Sequence, residues 1–295
     1  DTQEKFDALT EADAIVLRIL KMPKEVVARI KGLKMIMRWG AGFDSVDIEE
    51  AGKHGIYVCN TPGANAYAVA ELTVALMLAV GRKLICHDRA IHQGEWSKNT
   101  FLNLTRTLNN KVVGIIGGGN IGRQVAARVQ AFGSIVQYYD PFRLPEEMEE
   151  KLHMKYVGLE ELIRTSDVIT LHVPLMDSTR HMIGEKEIEK MKNGAILINV
   201  ARGGLMDDEA VVKAVNSGKL SGAGIDCVEE EPAKPGNPIL ENPNIIVTPH
   251  VGGGSADISD VMFPMITGNI ELLAIGKELK YVVNKQYLEG NNKKL

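Results

Sequence analysis

The sequence predicts an α/β protein with two domains, each built on a doubly wound parallel sheet. Short β-branched runs alternate with helical segments almost from end to end, which is typical of βα units and a parallel sheet. A glycine-rich turn follows one central strand. The length of 295 residues, at roughly 150 residues per domain, favours two domains, with one large domain as the alternative.

The first part of the chain predicts a small α/β unit. Its apolar runs at 13–19, 33–39 and 55–60 read as buried strands. Residues 23–32 and 45–55 read as the helices between them. A long helical stretch at 64–96 follows, without proline and without glycine before Gly81, and its apolar composition predicts burial on several faces.

From Lys111 the alternation restarts and predicts a complete doubly wound sheet of six strands. The strands are expected at 111–116, 134–140, 167–173, 195–200, 222–226 and 244–249. The tail, with a helix at 257–276 and a strand at 279–284, is expected to return to the first unit. The predicted domains are therefore 1–66 with 254–295, a smaller flavodoxin-like unit, and 67–253, the doubly wound unit.

Composition excludes several classes of protein. With 45% hydrophobic and 24% charged residues the chain is an ordinary globular one, and 34 basic against 38 acidic residues leave no positive field for nucleic acid or an anionic membrane. No apolar run is long enough to span a membrane. The cysteines, Cys59, Cys86 and Cys227, form no sequence cluster, so neither disulfides nor a metal site are predicted. We expect a reduced, cytoplasmic protein, and the non-methionine start leaves open a missing N-terminal segment.

Three glycines predict a dinucleotide site. Gly117, Gly119 and Gly122 stand in G-x-G-x-x-G spacing between a strand and a helix. The first permits a tight turn, the second lets the backbone approach a pyrophosphate, and the third allows the helix to pack closely on the strand. The helix N-terminus then faces the phosphates. The alternative is a plain tight turn without a ligand.

An acidic residue at the end of the next strand favours NAD over NADP. Asp140 lies 18 residues after Gly122, where a carboxylate can bind the ribose hydroxyls and repel a 2′-phosphate. Arg143, three residues further on, could weaken this preference for NAD over NADP. Alternatively, Asp140 merely ends its strand before a proline.

Polar residues follow three of the predicted strands. Arg202, Asp226 and His250 each come directly after an apolar run, and Glu231 lies five residues past Asp226. Because ligands of parallel sheets bind beyond the carboxyl ends of the strands, these groups should meet in one crevice. Taken singly, each also fits a surface charge, a strand end or a core histidine.

The set has the chemistry that hydride transfer to a carbonyl requires. Histidine can protonate the developing alkoxide, and a carboxylate bonded to the imidazole fixes its tautomer. Arginine can clamp a carboxylate with two parallel hydrogen bonds. The predicted substrate is therefore a 2-oxo acid, and the reverse reaction oxidises a 2-hydroxy acid.

These segments resemble the D-isomer-specific 2-hydroxyacid dehydrogenase family, which includes phosphoglycerate dehydrogenase. The resemblance is carried by MRWGAGFDSVDI, NTPGANAYAVAELT, VGIIGGGNIG, HVPLMDST, NVARGGLMD, GAGIDCVEEEP and TPHVGGGS. It implies a Rossmann cofactor domain, with Arg202, Glu231 and His250 as substrate-binding arginine, glutamate partner and acid/base. The implied substrates are 3-phosphoglycerate, glyoxylate, hydroxypyruvate or another small 2-oxo acid.

The resemblance implies further contacts and an assembly. The residues implied to line the cofactor are Asn120, Ile121, Val173, Ala201 and Asp226. The loop Gly40, Ala41 and Gly42 is implied to offer backbone N–H groups to the substrate carboxylate; a plain turn is the alternative. A homodimer through the helix around 65–85, a site in the cleft between the domains, and a hinge near Asn65 and Gly252 are also implied.

Three positions depart from the family pattern. Met176 stands where many members have threonine, and Trp39 and Ser45 replace commoner residues of the loop motif. The rival function is an NAD(H)-sensing binding protein that resembles the C-terminal-binding corepressors. A formate-type oxidoreductase is less favoured, because that reaction requires no acid/base at oxygen.

Overall fold

The computed structural model describes residue 9 and residues 11–288 and divides the chain into two compact units. The larger unit is Ala66–Gly252, and the smaller unit combines Asp1–Asn65 with Gly253–Leu295. The chain passes from one unit to the other twice, after Asn65 and after Gly252. Each of these boundaries lies one residue before the one expected from the sequence. The ends of the predicted smaller domain, residues 1–8, 10 and 289–295, lie outside the described residues.

Strands and helices alternate through the described chain, as the patterning predicts. The strands are β1 Ala14–Leu17, β2 Met35–Arg38, β3 Tyr57–Cys59, β4 Val112–Ile116, β5 Ile135–Tyr139, β6 Met154–Tyr156, β7 Val168–Leu171, β8 Ala195–Asn199, β9 Leu220–Ile225 and β10 Ile245–Val247. The helices are α1 Lys24–Val27, α2 Ile48–Lys53, α3 Ala66–Gly81, α4 Leu84–His92, α5 Asn120–Ala131, α6 Glu146–Leu152, α7 Leu159–Thr165, α8 Glu185–Lys190, α9 Asp208–Asn216, α10 Pro238–Glu241, α11 Ser259–Ala274 and α12 Lys285–Leu288.

The larger unit contains a seven-stranded sheet in which all neighbours are parallel. Its order is β10-β9-β8-β7-β4-β5-β6. The chain order reverses between β4 and β7, and this switch point is where a doubly wound sheet opens a crevice beyond its carboxyl ends. Six of these strands match the predicted runs. The seventh, β6, was missed, because three residues carry too little periodicity to be recognised.

The smaller unit contains a three-stranded parallel sheet in the order β1-β2-β3. Its core is formed by buried side chains such as Val27, Ile36, Ala51 and Val58. The segment predicted as a strand at 279–284 does return to this unit. It pairs there through a single antiparallel bridge between Cys59 and Val282, so it is shorter than expected.

The long helical stretch predicted at 64–96 is divided into α3 and α4. Lys83 lies between them with a left-handed φ of 54°, and its buried ammonium donates to the carbonyl of Ser221 and to Oδ1 of Asn244 at 3.0 Å. Helix α3 packs on β8, β9 and α5 of its own unit, where Leu76, Met77 and Val80 are buried. Its apolar composition is therefore accounted for within one chain.

In the part of the chain that the structure describes, no helix combines the length and the apolar character needed to cross a membrane.

Candidate active site

The glycine turn after β4 has the close contacts that the motif predicts. Gly117 has a φ of +109°, and a Cβ there would lie 2.5 Å from the carbonyl oxygen of His172. A Cβ on Gly122 would lie 2.1 Å from the carbonyl oxygen of Gly117, where α5 begins. Side chains are therefore sterically excluded at both positions, and the turn brings the helix N-terminus directly over the end of β4.

Gly119 has the opposite environment. It is exposed, a Cβ there would meet nothing within 4 Å, and no side chain caps α5. The N-terminus of this twelve-residue helix, which is the positive end of its dipole, thus faces open space, and Gly119 places no side chain there. This arrangement fits a pyrophosphate. Asn120 is exposed beside it, Ile121 is partly buried, and Oδ1 of Asn120 accepts from Arg123 at 2.7 Å.

Asp140 follows β5 and is fixed against the glycine turn. Its Oδ2 accepts from the N–H of Gly118 at 2.8 Å, and its Oδ1 accepts from the N–H of Phe142 at 2.9 Å. The half-buried carboxylate therefore lies beside the turn that receives the phosphates. This placement suits recognition of the adjacent ribose hydroxyls.

Arg143 is held by α6. Its guanidinium forms two hydrogen bonds with Glu149, at 2.9 and 2.8 Å, and lies 5.2 Å from the ring centre of Tyr156. The hydroxyl of Tyr138 donates to the same carboxylate at 2.5 Å. The hydrogen bonds from Arg143 and then Tyr138 lower the pKa of Glu149 to about 2. The arginine is therefore engaged within the protein.

His250 and Glu231 form the polar pair that the sequence predicts. Nδ1 of His250 lies 2.8 Å from Oε2 of Glu231, and the two side chains are 45% and 39% exposed. His250 has a left-handed φ of 53°, while its N–H donates to the carbonyls of Asp226 and Thr248. Such a backbone costs energy in a non-glycine residue and is concentrated at functional sites.

Asp226 fixes the loop that carries His250. Its carboxylate is 2% exposed, and Oδ1 accepts from the hydroxyl of Thr248 at 2.6 Å and from the N–H of Val251 at 2.9 Å. Oδ2 accepts from the N–H of Gly252 at 2.8 Å. The carboxylate therefore connects the end of β9 to the whole turn after β10, a role that the sequence did not reveal.

A buried asparagine shapes the turn of Arg202. Asn199, at the end of β8, donates through Nδ2 to the carbonyl of Arg202 at 2.8 Å and accepts from the N–H of Ala201 at 3.1 Å. The half-buried guanidinium of Arg202 donates to the carbonyl of Ala201 at 2.7 Å. Asn199 could have been suspected from the sequence, because it is the one polar residue of an apolar strand.

The turn of Arg202 and the loop of Glu231 touch through their backbones. A Cβ on Gly203 would lie 1.8 Å from the carbonyl oxygen of Val228. Only a glycine permits this approach. The contact joins the ends of β8 and β9 and so links the predicted arginine to the predicted glutamate.

Cys227 also belongs to this group, although no signal in the sequence suggested it. Its buried Sγ and the donor atoms of Glu231 and His250 all lie within 4.8 Å of one another.

Of the remaining predicted lining residues, Val173 reaches the glycine turn, with Cγ1 3.1 Å from a Cβ on Gly117.

The predicted carboxylate loop lies in the smaller unit. The N–H of Gly40 already donates to Oγ1 of Thr61 at 2.9 Å. Among the described residues no acceptor is recorded for the N–H groups of Ala41 and Gly42. Two of the three proposed donors are thus available to an anion.

Met176, Trp39 and Ser45, which depart from the pattern of the family that the sequence resembles, have different surroundings. The hydroxyl of Thr179 accepts from the N–H of Met176 at 2.8 Å, so the retained threonine still shapes that turn. Trp39 packs edge-on against Phe263 with ring centres 5.3 Å apart. Oγ of Ser45 is buried, and no hydrogen-bond partner for it is found in the described structure.

Comparisons with known proteins identify the family of the chain. Residues 74–252 match the family model of the D-isomer specific 2-hydroxyacid dehydrogenase, NAD binding domain. A glyoxylate reductase of Thermococcus litoralis is 40% identical over 97% of this chain and 88% of its own length. A D-3-phosphoglycerate dehydrogenase of Archaeoglobus fulgidus is 38% identical over 98% of this chain, which spans only 55% of that protein.

A solved structure shows the same likeness. The D-lactate dehydrogenase of Aquifex aeolicus, complexed with NAD and lactic acid, has a TM-score of 0.82 and 31% identity, covering 97% of this chain and 88% of that one. The glycine turn, the open N-terminus of α5 and Asp140 fit NAD as the cofactor. The chain belongs to the D-isomer specific 2-hydroxyacid dehydrogenase family and is an NAD-dependent oxidoreductase.

Proposed function

We propose that this protein interconverts a small 2-oxo acid and the D-2-hydroxy acid, with His250 as the acid/base. The observation that carries the proposal is the 2.8 Å contact between His250 and Glu231 at the carboxyl edge of the NAD-binding sheet. Strands β9 and β10 lie three and four strand spacings from β4, about 14 and 19 Å away. Those distances suit the nicotinamide end of a dinucleotide whose phosphates bind at the glycine turn.

Each residue has a defined task in this proposal. Bound NADH supplies the hydride that reduces the carbonyl carbon. His250 donates the proton to the carbonyl oxygen, and in the reverse direction accepts it. Glu231 holds the imidazole in one orientation and balances its charge. Arg202 binds the substrate carboxylate with paired hydrogen bonds.

The smaller unit is proposed to bind substrate, and its loop favours an unphosphorylated acid such as glyoxylate or hydroxypyruvate. Ala41 and Gly42 offer backbone N–H groups suited to a carboxylate. Beside them, Trp39 and Phe263 form an aromatic pair, and the guanidinium of Arg38 donates to the carbonyls of Leu17 and Gly42. Arg38 is the basic residue nearest to this loop in sequence, and its guanidinium thus donates to backbone oxygens.

The test is a steady-state assay with NADH and a panel of glyoxylate, hydroxypyruvate, pyruvate and phosphohydroxypyruvate. We expect turnover with at least one unphosphorylated acid. His250→Ala should reduce kcat by about 10²–10⁴-fold and leave NADH affinity nearly unchanged. His92→Ala, at an exposed histidine of the larger unit, is the matched control.

The panel also separates the enzyme from a cofactor-sensing binding protein. NADH binding without turnover across the panel would contradict the proposed reaction and favour the sensor. Normal turnover by His250→Ala would reject the role of the histidine but not the reaction.

We also propose a cytoplasmic homodimer. The proposed compartment is a reducing one, because the three cysteines form no cluster in the sequence. Most apolar side chains of α3 are buried in their own unit, but Leu72 and Leu78 stay partly exposed, so the proposed contact surface extends from this helix into the segment that follows. Exposed apolar side chains there are Leu84, Ile91, Trp96, Leu102 and Leu104.

A further inference from the structure

We propose that Cys227, Glu231 and His250 form an inhibitory site for a thiophilic divalent cation, with zinc as the fitting ion. Residues that are separate in the sequence meet here because β9 and β10 are neighbours. The metal site depends on geometry alone, whereas its effect on turnover rests on the function proposed for Glu231 and His250.

The distances are close to those of a tetrahedral zinc site. The three donor atoms lie within 4.8 Å of one another, and Nδ1 of His250 is 2.8 Å from Oε2 of Glu231. With zinc bonds of about 2.0 Å to nitrogen and oxygen and about 2.3 Å to sulfur, donors stand about 3.3 to 3.5 Å apart. For one ion to bind all three donors, the pair must therefore open by about 0.5 Å and the sulfur must approach by about 1.3 Å at most.

The donor types match zinc. Thiolate, imidazole and carboxylate are the side chains that bind it, and the two anionic donors neutralise its charge. On binding, the thiol proton and the proton shared between His250 and Glu231 pass to solvent or buffer. No electron transfer is involved.

The site is both anchored and accessible. Cys227 follows Asp226, whose three hydrogen bonds fix the loop of His250, and Gly203 contacts Val228 next to the cysteine. The thiol is buried, whereas the other two side chains are nearly half exposed. A cation can therefore reach the imidazole and the carboxylate from solvent, whereas binding to the buried sulfur requires the thiol to give up its hydrogen bond to the carbonyl of Ala201. The fourth position is left for water.

Occupation would remove the proton-transfer function. A metal on the imidazole and the carboxylate replaces the proton that joins them, so the histidine can no longer act as acid or base. Reversible inhibition by zinc, sensitive to a chelator, is the expected consequence.

The first experiment measures zinc binding in competition with a chromogenic chelator. Wild type is expected to bind one zinc ion per chain at micromolar concentration or below. Cys227→Ser and Cys227→Ala should each weaken binding at least tenfold, and Cys86→Ser should leave it unchanged, because Cys86 lies outside the cluster. With Co²⁺ as the probe, a near-ultraviolet thiolate-to-metal absorption band should be present in wild type and absent from both Cys227 variants.

The second experiment measures initial rates with added zinc. Inhibition of wild type and Cys86→Ser should be reversed by EDTA, and both Cys227 variants should require at least tenfold more zinc. Equal zinc affinity in wild type and both Cys227 variants, or no binding by wild type at tens of micromolar zinc, would overturn the site. Thiol-dependent binding without inhibition would support the site and contradict the catalytic assignment of His250 and Glu231.

Discussion

The loop of His250 depends on one buried carboxylate. Asp226 accepts three hydrogen bonds from the turn after β10 while only 2% exposed. In Asp226→Asn the amide would present N–H groups either to the N–H of Gly252 or to the donors of Thr248 and Val251. A buried donor without an acceptor costs about 1–3 kcal/mol, so we expect a loss of that size in the free energy of unfolding, together with reduced turnover.

Urea denaturation of Asp226→Asn, with Asp177→Asn as control, measures this loss. Asp177 is exposed, and its variant should match wild type. Equal stability of Asp226→Asn and wild type would show that the carboxylate is not required to hold the loop.

His172 should make folding stability depend on pH. Burial lowers the pKa of its imidazole to about 3, and its Nδ1 is buried without a partner in the described structure. The folded state stays neutral while the unfolded histidine takes up a proton below about pH 6.5, so stability falls as the pH is lowered from 6.5 toward 3. The loss is up to about 1.4 kcal/mol per pH unit.

The measurement compares urea unfolding of wild type and His172→Gln between pH 7.5 and 4.5. The variant should lose less stability on acidification than wild type, whereas His92→Gln should retain the wild-type slope. Parallel pH profiles for wild type and His172→Gln would contradict the assignment.

The sequence could predict the chemically distinctive side chains, but not the groups that hold them. Arg202 and His250 were predicted because polar residues that follow several parallel strands should meet at one edge of the sheet, and Glu231 because it lies five residues past Asp226. Thr248 acts through a hydrogen bond to a distant side chain, which leaves no local pattern, whereas Asn199 stood out only as the one polar residue of an apolar strand. Cys227 was likewise not recognised, because its neighbour His250 follows a different strand and Glu231 alone gives no cluster.

Helix α6 should control how strictly the protein prefers NAD. Glu149 engages the guanidinium of Arg143, which stands three residues after Asp140, the residue predicted to bind the ribose. An arginine at this end of the strand can accommodate a 2′-phosphate. Releasing it through Glu149→Gln should therefore strengthen binding of 2′,5′-ADP by about threefold to tenfold, while binding of 5′-ADP changes little.

Calorimetric titration with the two nucleotides measures this effect. The double variant Glu149→Gln, Arg143→Ala should lose the gain, which identifies the released guanidinium as its source. Unchanged affinity for 2′,5′-ADP in Glu149→Gln would indicate that Asp140 alone excludes NADP.

The contact between the ends of β8 and β9 should tolerate no side chain. A methyl group on Gly203 would meet the carbonyl oxygen of Val228 at 1.8 Å, so the Arg202 turn must move away from the Glu231 loop. We expect Gly203→Ala to reduce kcat/KM by at least tenfold, mainly through KM if Arg202 binds the carboxylate. Gly218→Ala, at a turn with open space but positive φ, controls for general destabilisation.

Steady-state kinetics together with a thermal melt would separate the two effects. Gly218→Ala should lower Tm with normal kinetics, because its strain lies away from the site. A wild-type value of kcat/KM in Gly203→Ala would show that catalysis does not require the close contact between the Arg202 turn and the Glu231 loop.

Element boundaries were predictable only where the local pattern is strong. The glycine turn and the strands around it were identified correctly, whereas the predicted helix at 64–96 is interrupted at Lys83. That break is stabilised by Ser221 and Asn244, which lie some 140 to 160 residues away in sequence, so no local signal could reveal it.

The proposed assembly of the molecule rests on apolar side chains that stay exposed. Helix α3 has its apolar face packed on its own sheet, but Leu102 and Leu104 are 61% and 53% exposed. Exposed apolar side chains so close in sequence favour an interaction surface, and the proposed partner is a second copy. Light scattering should give twice the chain mass for wild type and one chain mass for the double variant Leu102→Glu, Leu104→Glu, because four buried charges would oppose the contact.

Ile275→Glu, at a 63% exposed position of the smaller unit, should remain dimeric. A monomeric wild type, or a double variant that stays dimeric, would place the association elsewhere or exclude it.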